Sequence, residues 1–108
     1  MFRTLGLSGR LAPAGAAAMR GALYSLGAYP GLVPGGRGLV HGELYRVLDP
    51  RVFAPLDRYE DFWPDDPAAS LFRRVRAPLS GRADTAWVYV YNRETGRARP
   101  IPSGRWTL

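Results

Sequence analysis

Glycine and proline punctuate this chain so densely that no long helix fits into it. Thirteen Gly and ten Pro fall among 108 residues. Gly admits left-handed backbone, and Pro fixes φ and removes an N–H donor. Between them stand short runs rich in Tyr, Trp, Phe and Val, residues suited to a pleated, half-buried surface. The pattern predicts several short strands joined by turns, in one domain over residues 1–108, because a chain of this length supports a single core.

The chain is 46% hydrophobic and 22% charged, ordinary values for a folded domain. No apolar run approaches the roughly 18–20 residues that a membrane-spanning helix needs, so no membrane partner is expected. Cysteine is absent, which excludes disulfide scaffolds, thiol nucleophiles and Cys-ligated zinc. His41 is the lone histidine, leaving no His pair for a metal and no charge-relay triad. The formal net charge is +6, and all 15 basic residues are Arg. They are scattered, and only Arg73, Arg74 and Arg76 cluster. Such a charge suits retention of an acidic small substrate better than nucleic-acid binding, which is not expected.

Residues 1–18 are small, acid-free and weakly patterned. Arg10 and the glycines break the apolar stretch that a signal peptide requires, and the expected compartment is the cytoplasm. This segment is expected to be weakly structured, or the remnant of a helix. Further on, residues 19–26, 39–47, 71–79, 83–91 and 101–106 read as strands, with an extended piece at 29–34 and turns at 34–36 and 80–82. Along the fourth of these strands, Ala86, Val88 and Val90 share one face; Trp87, Tyr89 and Tyr91 share the other. Asp49 and Pro50 supply an N-cap and a first helical residue for a helix running to about Phe62. The fold class is therefore α+β: a small mixed sheet, curled like a barrel, against one main helix.

On a helical wheel, Val52, Phe53, Leu56 and Tyr59 make one apolar arc, and Glu60 falls inside it. A buried ionised carboxylate is costly unless paired, and its pKa rises, which is what a general acid/base needs. The competing reading ends the helix at Tyr59 and leaves Glu60 in solvent. Asp57, at the edge of the arc, reads as a cap or salt-bridge partner.

Several segments then stand in a suggestive order: Gly21-Ala22-Leu23-Tyr24-Ser25-Leu26-Gly27-Ala28-Tyr29-Pro30-Gly31, Val40-His41-Gly42-Glu43-Leu44-Tyr45, Leu56-Asp57-Arg58-Tyr59-Glu60, Phe72-Arg73-Arg74-Val75, Ala86-Trp87-Val88-Tyr89-Val90-Tyr91 and Ile101-Pro102-Ser103-Gly104-Arg105-Trp106. Over residues 14–106 this ordered set resembles the γ-glutamylcyclotransferase-like family, which includes the AIG2-like proteins. The resemblance implies a small mixed β-barrel-like fold without metal or cofactor. It also implies cleavage of γ-glutamyl amides or amines with release of 5-oxoproline. By that resemblance Glu60 is the general acid/base, Tyr89 lines the substrate pocket, Arg74 receives a substrate carboxylate, and Tyr29 and Gly31 are pocket-rim or structural turn residues.

The family's Tyr-Gly-(Ser/Thr)-Leu loop has no counterpart here, since Phe2-Arg3-Thr4-Leu5 keeps only Thr-Leu. Aligned without gaps, Met1 falls within the family's first helix, after its first strand and loop. An open sheet edge of that kind invites self-association into a homo-oligomer. Two alternatives stay open at this point: a catalytically degenerate member that binds a metabolite or a protein, and a small basic nucleic-acid binder.

Overall fold

The computed structural model describes residues 9–106. Strands β1 (Leu11–Ser25) and β2 (Pro30–Val47) form a long antiparallel hairpin. A 3-10 turn (Pro50–Val52) leads into the single helix α1 (Phe53–Tyr59). After a loop with a second 3-10 turn (Pro67–Ala69), β3 (Phe72–Pro78) and β4 (Thr85–Tyr91) make a second antiparallel hairpin. The two-residue strand β5 (Arg99–Pro100) pairs with Tyr24 and Ser25 on the other edge of β1.

The main core lies between the hairpins. Met19 and Leu23 from β1, Leu32 and Val40 from β2, Ala77 from β3 and Val90 from β4 are all buried there. Val75 and Val88 pack against them, so the alternation read along β4 is the one observed. The opposite face of the second hairpin carries Phe72, Arg74 and Arg76 across from Tyr91, Tyr89 and Trp87. A smaller cluster of Leu11, Val52 and Leu56, with Phe53 and Tyr89 against it, seats α1 on that face.

The α+β class holds, and four local expectations change. The sheets do not close into a barrel: β2-β1-β5 and β3-β4 are separate ladders, and β4 meets β2 through packing alone. Residues 11–18 are neither weakly structured nor helical. They are β-strand, paired from Leu11 with Val47 through Ala18 with His41. A backbone ladder satisfies them without help from side chains, and their Ala and Gly residues leave no periodic signal to read. Residues 1–8, including Phe2-Arg3-Thr4-Leu5, lie outside the described residues. The turn at 34–36 is an excursion inside one strand: Arg20 pairs with Leu39 and Gly21 with Pro34, so residues 35–38 loop out.

Residues 101–106 do not add a strand. They cross the β1–β2 hairpin, with Ile101 and Trp106 packed on the main core. Gly104 pins this tail: it is buried at φ 67, and its carbonyl accepts the His41 N–H at 2.8 Å. A Cβ there would collide with the Leu39 carbonyl oxygen. The variant Gly104→Ala is therefore expected to lose at least about 2 kcal/mol in urea denaturation, from left-handed strain and the backbone clash together.

Candidate active site at the end of the helix

The helix that carries the site is short by construction. Asp49 caps the 3-10 turn that leads into it, accepting the Arg51 N–H at 3.0 Å with Pro50 at the first position. Pro55 sits in the first turn of α1, where a missing N–H costs little. At the other end the chain stops abruptly after Tyr59. The Phe62 N–H donates to the Asp57 carbonyl at 2.8 Å and the Asp61 N–H to the Arg58 carbonyl at 3.2 Å. That pair of bonds is a Schellman cap, with Asp61 at φ 53 in the place glycine usually takes. The helix thus ends at Tyr59 rather than at Phe62, and Glu60 is its C-terminal cap.

Ending there does not free Glu60 into solvent. The cap reverses the chain, Phe62 is buried, and Glu60 is half-buried. Burial pushes the Glu60 carboxyl above its ordinary value. Among the described residues, no hydrogen bond or ion pair engages that carboxylate.

One turn earlier, Asp57 is treated in the opposite way. It is 6% exposed and fully engaged. Arg74 Nε donates to it at 2.9 Å, and the Tyr89 hydroxyl donates to the same oxygen at 2.5 Å. The Arg74 guanidinium lies over the Phe53 ring at 4.3 Å and the Trp87 ring at 5.0 Å. Burial, and then the Asp57 carboxylate, hold the Tyr89 phenol well above its usual range, so it stays protonated as a donor.

Two clefts meet at Glu60 and Tyr89, which line both. The first, of about 520 Å³, runs between β2, α1 and β4 and includes Glu43, Arg46, Arg76 and Trp87. The second, of about 440 Å³, opens toward the β1–β2 turn and includes Leu23, Tyr29, Leu71 and Phe72. Among the described residues, no group of three or more His, Asp and Glu side chains converges to hold a metal ion.

Sequence reasoning placed Glu60, Tyr89 and Tyr29 together, and the geometry brings all three to the clefts. Arg74 goes elsewhere: it lines neither cleft, and its charge is spent on Asp57. Gly31 is also off the rim. It is buried, and a Cβ there would stand 2.9 Å from Leu26 Cδ1 and 3.2 Å from Tyr91 Cγ, so its role is close packing. Tyr89 faces Arg74 across the strands. Arg76, which the sequence presents only as part of a cluster, stands in the first cleft. Its two-residue offset from Arg74 on a strand was the available signal.

The model of the family described as gamma-glutamyl cyclotransferase, AIG2-like, matches residues 3–108. The chain belongs to this family. The gamma-glutamylcyclotransferase family protein YtfP of Escherichia coli K12 is 39% identical over 84 residues, covering 78% of this chain and 66% of that protein. A Vibrio cholerae relative is 44% identical over 86 residues, covering 79% of this chain and 65% of that one. The chain thus spans just under two-thirds of the length of these relatives. The solution NMR structure of E. coli ytfP superposes with a TM-score of 0.70 at 34% identity, covering 93% of this chain and 80% of that one. The crystal structure of PH0828 from Pyrococcus horikoshii shares the fold at a TM-score of 0.65 and 22% identity, covering 92% of this chain and 73% of that one. Among the described residues of this AIG2-like domain, no helix is long and apolar enough to cross a membrane.

Two outcomes follow for this family member. Asp57→Ala leaves the Arg74 guanidinium buried without its counter-charge, and is expected to cost about 3 kcal/mol by chemical denaturation. Adding Arg74→Ala to it should cost less than the sum of the single changes. Glu60 behaves oppositely. Its folded pKa is raised, so between the unfolded and folded values the native state holds a proton that the unfolded chain has lost. Stability therefore falls as pH rises through that window. Glu60→Gln should flatten that slope and be at least as stable as the parent above it, measured by denaturation at a series of pH values.

Proposed function

We propose that this protein is a γ-glutamylcyclotransferase-type enzyme, cleaving γ-glutamyl amides with release of 5-oxoproline, and that Glu60 is its proton shuttle. The observation that carries the reading is the half-buried Glu60 carboxylate, without a hydrogen-bonding or ionic partner among the described residues, at the junction of two clefts. An unpaired carboxylate in such a place costs stability, and the fold holds it there with a dedicated cap.

The chemistry asks for little more than one such group. The substrate's α-ammonium gives a proton to the Glu60 carboxylate. The freed nitrogen lone pair attacks the γ-carbonyl carbon, closing the five-membered ring, and the carbonyl π electrons move to oxygen. Collapse of that tetrahedral species breaks the bond to the leaving nitrogen, which takes the proton back from Glu60. The ring nitrogen, left as NH2+ by its attack, then gives its second proton to Glu60, which passes it on to the released amine. The products are 5-oxoproline and the amine in its ammonium form, no water is consumed, and Glu60 returns to its starting form. Attack within one molecule supplies much of the entropic advantage. The raised proton affinity of Glu60 narrows its gap to an alkylammonium, which favours transfer in both directions.

Tyr89 acts through its ring. Its hydroxyl is committed to Asp57, so it walls both clefts and positions rather than transfers a proton. Glu60→Gln keeps the shape and removes the exchangeable proton. It is expected to lower kcat for 5-oxoproline release by about 10²–10⁴-fold, read by chromatography, with the circular dichroism spectrum unchanged. Wild-type turnover in Glu60→Gln would remove Glu60 from the mechanism.

A further inference from the structure

Among the described residues no partner holds the Glu60 carboxylate, so the chain on either side of it must set its place. On the N-terminal side the Asp57 tie does this. On the C-terminal side stands Asp61, which is, among the described residues, the one non-glycine residue at positive φ. Glycine would take φ 53 without a Cβ penalty, so a side chain is kept at this position against backbone strain. Such strain persists where the surroundings over-determine it.

The Asp61 side chain has a definite contact. Its carboxylate accepts the Trp63 indole N–H at 2.6 Å, and no ion pair among the described residues competes for it. Trp63 is exposed, so packing alone does not account for an indole there. Both ends of this tie are anchored. The Asp61 carbonyl accepts the Leu71 N–H at 3.0 Å, and the Trp63 N–H donates at 2.8 Å to the hydroxyl oxygen of Ser70, which is fully buried. Ser70 and Leu71 are bound in turn to Asn92, the residue after β4. Its side-chain amide donates to the Ser70 carbonyl and its N–H to the Leu71 carbonyl, each at 2.9 Å. The residue that follows Glu60 is thus fixed to the end of the second hairpin by a route that bypasses Asp57. Asp61 and Leu71 also line the second cleft together with Glu60.

Resting on the reading of Glu60 as proton shuttle, we propose that Asp61, through its hydrogen bond to the Trp63 indole, is a positioning residue for Glu60. A shuttle must reach two nitrogens in turn from one place, and an ångström of misplacement costs about 10²-fold in rate. Glycine at position 61 would keep the cap and lose the tie, leaving the peptide after Glu60 free to swing. The strained aspartate gives up stability in exchange for a fixed carboxylate.

The test uses the full chain with γ-glutamyl-n-butylamide and γ-glutamylalanine, following 5-oxoproline release. Asp61→Gly is expected to match or exceed the parent's urea midpoint, yet to lower kcat at least about tenfold with KM within about twofold. A residue that served the cap alone would show activity following stability. Trp63→Phe removes the donor and should lower kcat by a similar factor, and the double variant should be no worse than either single one. Asp61→Asn keeps an acceptor oxygen and tolerates left-handed backbone, so its kcat should lie within about twofold of the parent. Parental kcat in Asp61→Gly overturns the proposal and leaves the Glu60 reading standing, as does an Asp61→Asn no better than Asp61→Gly. Parental turnover in Glu60→Gln, or no 5-oxoproline from either compound with the parent, overturns the Glu60 reading and the proposal with it.

Discussion

The Asp57 carboxylate is the tie on which the rest of the molecule depends. It comes from α1, takes Nε–H of Arg74 on β3, and takes the hydroxyl of Tyr89 on β4. Three elements distant in sequence are locked by one buried anion. Neither partner would be tolerated alone: a guanidinium among Phe53, Phe62 and Trp87 needs its counter-charge, and the carboxylate needs the guanidinium. Because the helix has only two turns, it lacks the length to fix its own orientation by packing, and the ion pair fixes it instead. Everything at the helix C-terminus inherits that position.

Two acids three residues apart therefore have opposite fates. Asp57 is satisfied and structural. Glu60 is only half-buried, and it lacks the partners that Asp57 has. The Schellman cap produces this difference, since it reverses the chain at Asp61, buries Phe62 and leaves the cap residue facing the clefts. A helix that simply frayed after Tyr59 would have let Glu60 reach water.

Much of this was legible before any coordinates. The alternation along residues 86–91 assigns Val88 and Val90 to one side and Trp87 and Tyr89 to the other, because strand side chains alternate whatever the fold. Asp49-Pro50 marks the helix start for a similarly local reason. The helix stop was hidden, since Asp61 adopts a backbone that glycine usually advertises. The first strand was hidden too: a run of alanines pairs by its backbone and shows no periodicity. Arg74 was misread because charge alone does not say whether a guanidinium meets a ligand or a neighbouring aspartate.

By itself the sequence determined the strand faces, the cap at Asp49, the family and the one carboxylate out of place on the wheel. These depend on neighbours a few residues away, or on an ordered set of motifs. Only the tertiary structure decided that Asp57 consumes Arg74, that Gly31 is packing rather than rim, that the sheets stay open, and that Glu60 stands where two dissimilar clefts join. Each of those outcomes depends on which distant residues come within a few ångströms, and electrostatic and steric energies are set at that range rather than along the chain.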